Sequence, residues 1–72
     1  MIRKRSVSLH GHRTSFSLED AFFEEIKTIA GKRATSLASL LSEIDETREP
    51  DVNLSSAVRL FVLDDLKARL GE

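Results

Sequence analysis

The chain has 72 residues, no cysteine and a net charge of −1, with 40% apolar and 32% charged residues. These values fit one small globular domain and exclude disulfides and thiolate metal sites. A multi-step enzyme, a resident cofactor and a membrane span are not expected, and the basic start lacks the apolar stretch of a secretory signal, which favours the cytoplasm.

The N-terminal segment is basic and the rest of the chain is acidic. Residues 1–18 contain four basic residues and no acid, whereas residues 19–72 contain seven basic and twelve acidic residues. A basic arm on an acidic body indicates a surface for a polyanion, the alternative being a solvated, disordered N-terminus. We therefore expect residues 1–12 to form an arm, with an extra strand as an option, and its cations to contact phosphate: Arg3, Lys4 and Arg5.

Alternating polarity follows this arm. Phe16 and Leu18 alternate with Ser15 and Ser17, which predicts a strand over residues 13–18 with one buried face. The same alternation occurs before Gly11, but its apolar phase changes there, and glycine permits a turn or bulge. The segment is therefore either a hairpin or an arm that leads into one strand.

Three helices are predicted after the strand. Helix A has an apolar stripe from Phe22 to Ala30, and helix B begins at the N-cap Ser36 and ends before Pro50. Helix C is capped by Asn53 and is apolar over most of its circumference, so it should be buried on more than one side. The second side could be another subunit, and so small a core makes dimerisation the first expectation.

A lone strand needs a partner for its backbone groups, and the same strand of a second copy can supply it. The resulting antiparallel ribbon fits the major groove of DNA. Because Phe16 and Leu18 face the helices, the polar side chains of the strand face outward: Arg13, Ser15 and Ser17.

Two segments resemble the ribbon-helix-helix (MetJ/Arc/CopG-like) superfamily of DNA-binding proteins. They are TSFSLEDAFFEEIKTIA (residues 14–30) and ATSLASLLSEI (residues 34–44). The resemblance covers residues 13–47 and implies a mainly α fold, with one short N-terminal strand paired across a two-fold dimer. The core is thus expected at 13–48, and the third helix, within 49–72, lies outside the family's core pattern. Ala34 stands where the family's turn usually has glycine, so a tighter or partly helical break is expected.

The resemblance also implies site residues. Arg13, Ser15 and Ser17 would read bases, and the start of helix B would bind phosphate through Ser36, the Leu37 amide and Ser39. His10 and His12 could bind a metal across a dimer, but polar turn residues are the favoured interpretation.

The function expected from the sequence is a homodimeric, sequence-specific regulator of transcription, most simply a repressor, that binds double-stranded DNA; higher assembly on DNA is an option that the sequence leaves open. The alternative is an antitoxin-like or other interaction module that docks a partner protein through helix C. DNA binding should fall steeply with salt and helix docking should not, which separates the two.

Overall fold

The computed structural model describes residues 1–71, which form two strands followed by three helices. Glu72, the last residue of the predicted 49–72 segment, lies outside the described residues. Within 1–71, no helix combines the length and apolarity needed to cross a membrane. The elements are β1 (Ile2–Leu9), β2 (His12–Glu19), α1 (Asp20–Lys32), α2 (Leu37–Thr47) and α3 (Leu54–Arg69).

The two strands form an antiparallel hairpin, in which Leu9 lies opposite His12 and Ile2 lies opposite Glu19. The two turn residues both have positive φ, 54° at His10 and 79° at Gly11. Positive φ at both central residues is the pattern of a type I′ turn, whose twist matches that of the strands it joins. The hairpin alternative of the sequence analysis is therefore the one that forms.

This hairpin corrects the picture of a basic arm. Residues 2–9 form the strand β1 rather than an extended arm, and β2 is one residue longer at each end than predicted. Because β2 pairs with β1 of the same chain, it is not a lone strand. It does not need a second copy of the chain for all its backbone partners. Strand pairing across a dimer would have to use an outer edge of this hairpin, that of β1 or that of β2, and it stays a prediction.

Helix α1 ends in a turn that an alanine closes. The Thr35 amide donates to the Ala30 carbonyl at 3.0 Å, and the Ala34 amide donates to the Gly31 carbonyl at 3.1 Å. These bonds form a Schellman motif, in which the residue at the position of Ala34 is usually a left-handed glycine. Ala34 adopts this conformation itself, with a φ of 54°, so the break is not the tighter or partly helical one expected from its missing glycine.

The other two helices begin at the predicted caps. The Ser36 hydroxyl accepts a hydrogen bond from the Ser39 amide at 3.0 Å, and the Asn53 side chain accepts one from the Ser56 amide at 2.9 Å. Each cap satisfies one of the amides that a helix start leaves without an intrahelical partner. The predicted end of α2 before Pro50 is also confirmed.

The core lies between the inner face of the hairpin and the three helices. Its side chains are almost fully buried within one chain. Each buried Val, Leu, Ile or Phe side chain contributes roughly 1.5–3 kcal/mol of hydrophobic stabilisation. Because each element supplies part of this core, the helices support the hairpin from one side and leave its other side to solvent. The largest side chains that are fully buried are Leu18, Ile26, Ile29, Leu40, Leu41 and Val58.

Candidate nucleic-acid interface

The hairpin has a buried inner face and an exposed outer face. Phe16 and Leu18 are buried against the helices, so the alternate residues of both strands point outward. The register places these residues in directly opposed pairs across the two strands, at the positions where neighbouring side chains lie closest. We call the six of them the outer face: Lys4 and Ser17, Ser6 and Ser15, Ser8 and Arg13. All six are exposed.

The chemistry of the outer face suits a groove of DNA. Four of its residues are serines, whose short hydroxyls both donate and accept hydrogen bonds and allow the backbone to approach a surface closely. Its two cations, Lys4 and Arg13, lie at diagonally opposite corners and make no ion pair within residues 1–71. The three residues predicted to read bases therefore share one face with Lys4, Ser6 and Ser8, which only the pairing of the two strands places there.

The other two N-terminal cations that were predicted to contact phosphate, Arg3 and Arg5, both lie against Asp20. The Arg5 guanidinium donates to the Asp20 carboxylate at 2.7 Å and lies 4.0 Å from the centre of the Phe23 ring. This hydrogen bond lowers the pKa of Asp20 below its usual range. Arg3 lies 3.2 Å from the same carboxylate and stays largely exposed. Asp20 thus neutralises the charge of Arg5 within the fold, while the charge of Arg3 is only partly neutralised.

Side chains of α3 form hydrogen bonds with the end of β2. Arg59 donates two hydrogen bonds to the Glu19 carboxylate, at 2.8 and 3.1 Å, and this pairing lowers the pKa of Glu19. The Ser55 hydroxyl donates to the Ser17 carbonyl, on the edge of β2 that faces away from β1. Arg59 also neutralises Glu19, the acid that follows the outer-face residues of β2. These contacts could not be predicted from the sequence because they join residues about forty positions apart.

The start of α2 lies apart from the hairpin turn. The other end of this helix contacts the turn, where the His10 imidazole lies 3.7 Å from Asp45 and 3.6 Å from Glu46. From Asp45 back to Ser36 is about 14 Å along the helix axis, at about 1.5 Å per residue. The structure therefore does not bring Ser36, Leu37 and Ser39 together with the turn. Ser36 and Ser39 also bond to each other, at 2.9 Å between their hydroxyl oxygens.

His10 lies in the hairpin turn and His12 follows it, and the two side chains have different surroundings. His10 faces the two carboxylates of α2, and His12 is the first residue of β2. Residues 1–71 contain no cluster of three or more His, Asp or Glu side chains that could hold a metal ion. The pair does, however, mark the place where the hairpin turn meets α2.

Comparison with known families gives one match. A family model described as a ribbon-helix-helix domain covers residues 2–66, which include both strands and most of α3. No curated protein and no solved structure matches the chain significantly.

Proposed function

The chain belongs to the ribbon-helix-helix family, and on that premise we propose that it is a dimeric, sequence-specific DNA-binding regulator of transcription that acts as a repressor. The family is one of DNA-binding and regulatory proteins, which supports the general class. The repressor role, the homodimer and the residues that contact DNA are parts of the proposal.

The observation that carries the proposal is the outer face of the hairpin. A two-stranded antiparallel ribbon has the dimensions of the major groove, and here one chain forms the ribbon by itself. The six side chains of the outer face are polar or basic and exposed, while the opposite side is anchored on the core. The ribbon can therefore enter a groove without exposing apolar surface and without unfolding.

The exposed residues divide into two roles. Arg13 can form a bidentate pair with guanine, and the serines can pair with several bases and adjust the preference. In this proposal Lys4 and Arg3 contact the phosphates beside the groove, whereas Arg5 holds α1 against the hairpin. The start of α2, with Ser36, the Leu37 amide and Ser39, offers a second phosphate contact that sets the register on the duplex.

A second candidate function rests on a different surface. The side of α3 that faces away from the core exposes leucines, which favours a protein partner in addition to DNA. A module that only docks another protein would use this surface and leave the outer face of the hairpin unused.

The two functions can be distinguished by a substitution that introduces a carboxylate on the outer face. Binding of fluorescent duplexes of random sequence is measured by anisotropy for the natural chain, for Ser15→Glu and for Thr28→Glu. The two variants add the same charge at exposed positions, the first on the hairpin and the second on α1. We expect Ser15→Glu to abolish binding and Thr28→Glu to weaken it only slightly. Equal effects of the two variants would contradict a role of the outer face.

A further inference from the structure

An apolar groove lies between α2 and α3, beside the connection that joins them. Its surface is open to solvent, since Leu60 is 54% exposed and Val52 and Phe61 are partly exposed. Its volume of about 240 Å³ is below the roughly 300 Å³ at which pockets begin to enclose a small-molecule ligand. The groove therefore suits side chains that a larger partner presents. Its apolar lining consists of Ile44, Val52, Ala57, Leu60 and Phe61.

The charges that the groove offers to a partner are negative. Glu49, on the connection between the helices, and Asp64, on α3, both line the groove and are exposed. Neither makes an ion pair within residues 1–71. Arg48 also lines the groove, but its guanidinium donates to the Asp45 carboxylate at 2.9 Å and to the Val52 carbonyl at 2.7 Å. The unpaired charges of the lining are thus two carboxylates.

Two further cations lie near the groove without changing this balance. The Arg33 guanidinium lies 4.9 Å from the centre of the Phe61 ring, and it faces the Asp65 carboxylate at 3.9 Å. Lys67, the next cation along α3 after Asp64, does not line the groove. A partner in the groove therefore meets apolar surface with an acid on the connection and an acid on α3.

The chain itself does not supply a matching occupant. Its basic N-terminal segment is paired in β1, so this segment is not free to enter the groove. A second copy that packed groove against groove about a two-fold axis would bring Glu49 and Asp64 close to the same two acids. Like charges that face each other across an interface oppose binding. The charges thus favour a different protein, one that carries cations.

We propose that the groove docks an amphipathic helix of a partner protein, with apolar residues three and four positions apart and lysine or arginine on both flanks. Such a helix places its apolar side in a groove between helices, and its anchors recur at i, i+3, i+4 and i+7. The flanking cations would meet Glu49 on one side and Asp64 on the other. The groove contains no residue of the outer face, so docking leaves the hairpin free.

This inference does not rest on DNA binding, and its test contains no DNA, so it and the proposed function can fail separately. The first experiment measures the binding of two fluorescent designed peptides by anisotropy. Both have about 18 residues, enough to form a helix, with leucine at the anchor positions. One carries lysine at the remaining positions and the other carries glutamate. The natural chain should bind the lysine peptide about tenfold more tightly. Equal binding of the two peptides, or binding of neither, would overturn the proposal.

The second experiment locates the lysine peptide with two matched variants. Leu60 and Leu63 are both exposed on α3, but only Leu60 lines the groove. Leu60→Gln should weaken binding of the lysine peptide about fivefold, because apolar contact is lost, and Leu63→Gln should stay within about twofold of the natural chain. Equal weakening by the two variants would place the peptide outside the groove and overturn the proposal. Sedimentation velocity without peptide is the companion measurement, and self-association that Leu60→Gln alone abolishes would assign the groove to a second copy instead.

The third experiment separates local charge from net charge. Asp64→Lys and Glu24→Lys change the charge of the chain equally at exposed positions, the first in the groove and the second on α1. Asp64→Lys should weaken the lysine peptide about tenfold, and Glu24→Lys should have little effect. The double variant Glu49→Lys/Asp64→Lys should prefer the glutamate peptide. Circular dichroism checks that each variant keeps its fold. Equal effects of Asp64→Lys and Glu24→Lys, or an unchanged preference in the double variant, would overturn the proposal.

Discussion

The guanidinium of Arg59, on α3, donates two hydrogen bonds to the carboxylate of Glu19, at the end of β2. The two residues are 40 positions apart, so the pair fixes the last helix to the first sheet. Next to it, Asp20 binds Arg5 of β1. The base of the hairpin is therefore held by two carboxylates and two arginines from four different elements.

These carboxylates make stability depend on pH in a defined direction. The hydrogen bonds from Arg59 and Arg5 lower the pKa values of Glu19 and Asp20 in the folded chain. A carboxyl with a lowered folded pKa stabilises the fold above its unfolded pKa, and this contribution is lost as the pH falls through the folded value. The free energy of unfolding should thus decrease as the pH is lowered below about 4, near the ordinary pKa values of Asp and Glu.

The variant Glu19→Gln tests the contribution of the Arg59 pair. It should be less stable than the natural chain at neutral pH and lose less stability on acidification, as measured by urea unfolding at several pH values. Glu43→Gln, at an exposed position of α2, is the matched control and should follow the natural chain. Parallel curves for Glu19→Gln and the natural chain would show that the Glu19 pair does not contribute.

The same substitution at two glycines should have opposite effects. Gly11 has a φ of 79° in the hairpin turn, so Gly11→Ala forces an L side chain into the left-handed region at a cost of about 1 kcal/mol. Gly31 lies in the last turn of α1, and a Cβ there meets nothing within 4 Å. Gly31→Ala should therefore raise the free energy of unfolding, by about 0.5–1 kcal/mol. Denaturant melts that shift in the same direction for both variants would contradict the turn geometry.

Ala34 should gain from becoming glycine. Its φ of 54° carries a steric penalty that glycine avoids, although glycine adds entropy to the unfolded chain. The net result of Ala34→Gly should be a gain of up to about 1 kcal/mol in the free energy of unfolding. Ala34→Val, which makes the left-handed conformation harder to adopt, serves as the opposite control and should destabilise the chain. A loss of stability in Ala34→Gly would mean that residue 34 is not left-handed in solution.

The helices, their caps and the inner face of β2 could be predicted from the sequence because they depend on local signals. Ser36 and Asn53 cap their helices through residues three positions away, and periodicity alone assigns Phe16 and Leu18 to the core. The partner of β2 could not be decided in this way. A change of phase at Gly11 is compatible with a hairpin and with an arm, and the choice depends on pairing between strands.

The candidate site could be predicted only in part, because local alternation does not show which strands pair. Arg13, Ser15 and Ser17 follow from alternation within one strand, but Ser6 and Ser8 join them only through the register of the hairpin. The basic segment ended by composition at residue 18, two positions before Asp20, the acid that pairs with Arg3 and Arg5. Because the register brings Asp20 next to Arg3 and Arg5, these two cations differ in role from Lys4.

This difference predicts separate effects of two N-terminal cations. If Lys4 contacts one phosphate per chain, Lys4→Ala should lower the slope of log binding constant against log salt by about 0.9 per copy. Arg5→Ala should mainly lower the thermal unfolding temperature, since Arg5 binds Asp20 and packs on Phe23. Salt titrations of DNA binding and thermal melts of both variants check this. An unchanged slope for Lys4→Ala would remove Lys4 from the interface.

The central claim is that the outer face of the hairpin reads bases, with Arg13 as the main reader. A binding selection on randomised duplexes tests it most directly, with the natural chain, Arg13→Ala and Arg13→Lys compared at the same salt concentration. Arg13 is exposed, so neither variant should affect the fold. Lysine keeps the charge but lacks the planar fork that pairs bidentately with guanine, a pair worth about 1–3 kcal/mol against a wrong base. We predict that both variants lose the preference at one position of each half-site and keep it at the others. Recovery of the natural motif by Arg13→Ala, with the same preference at every position, would contradict the claim.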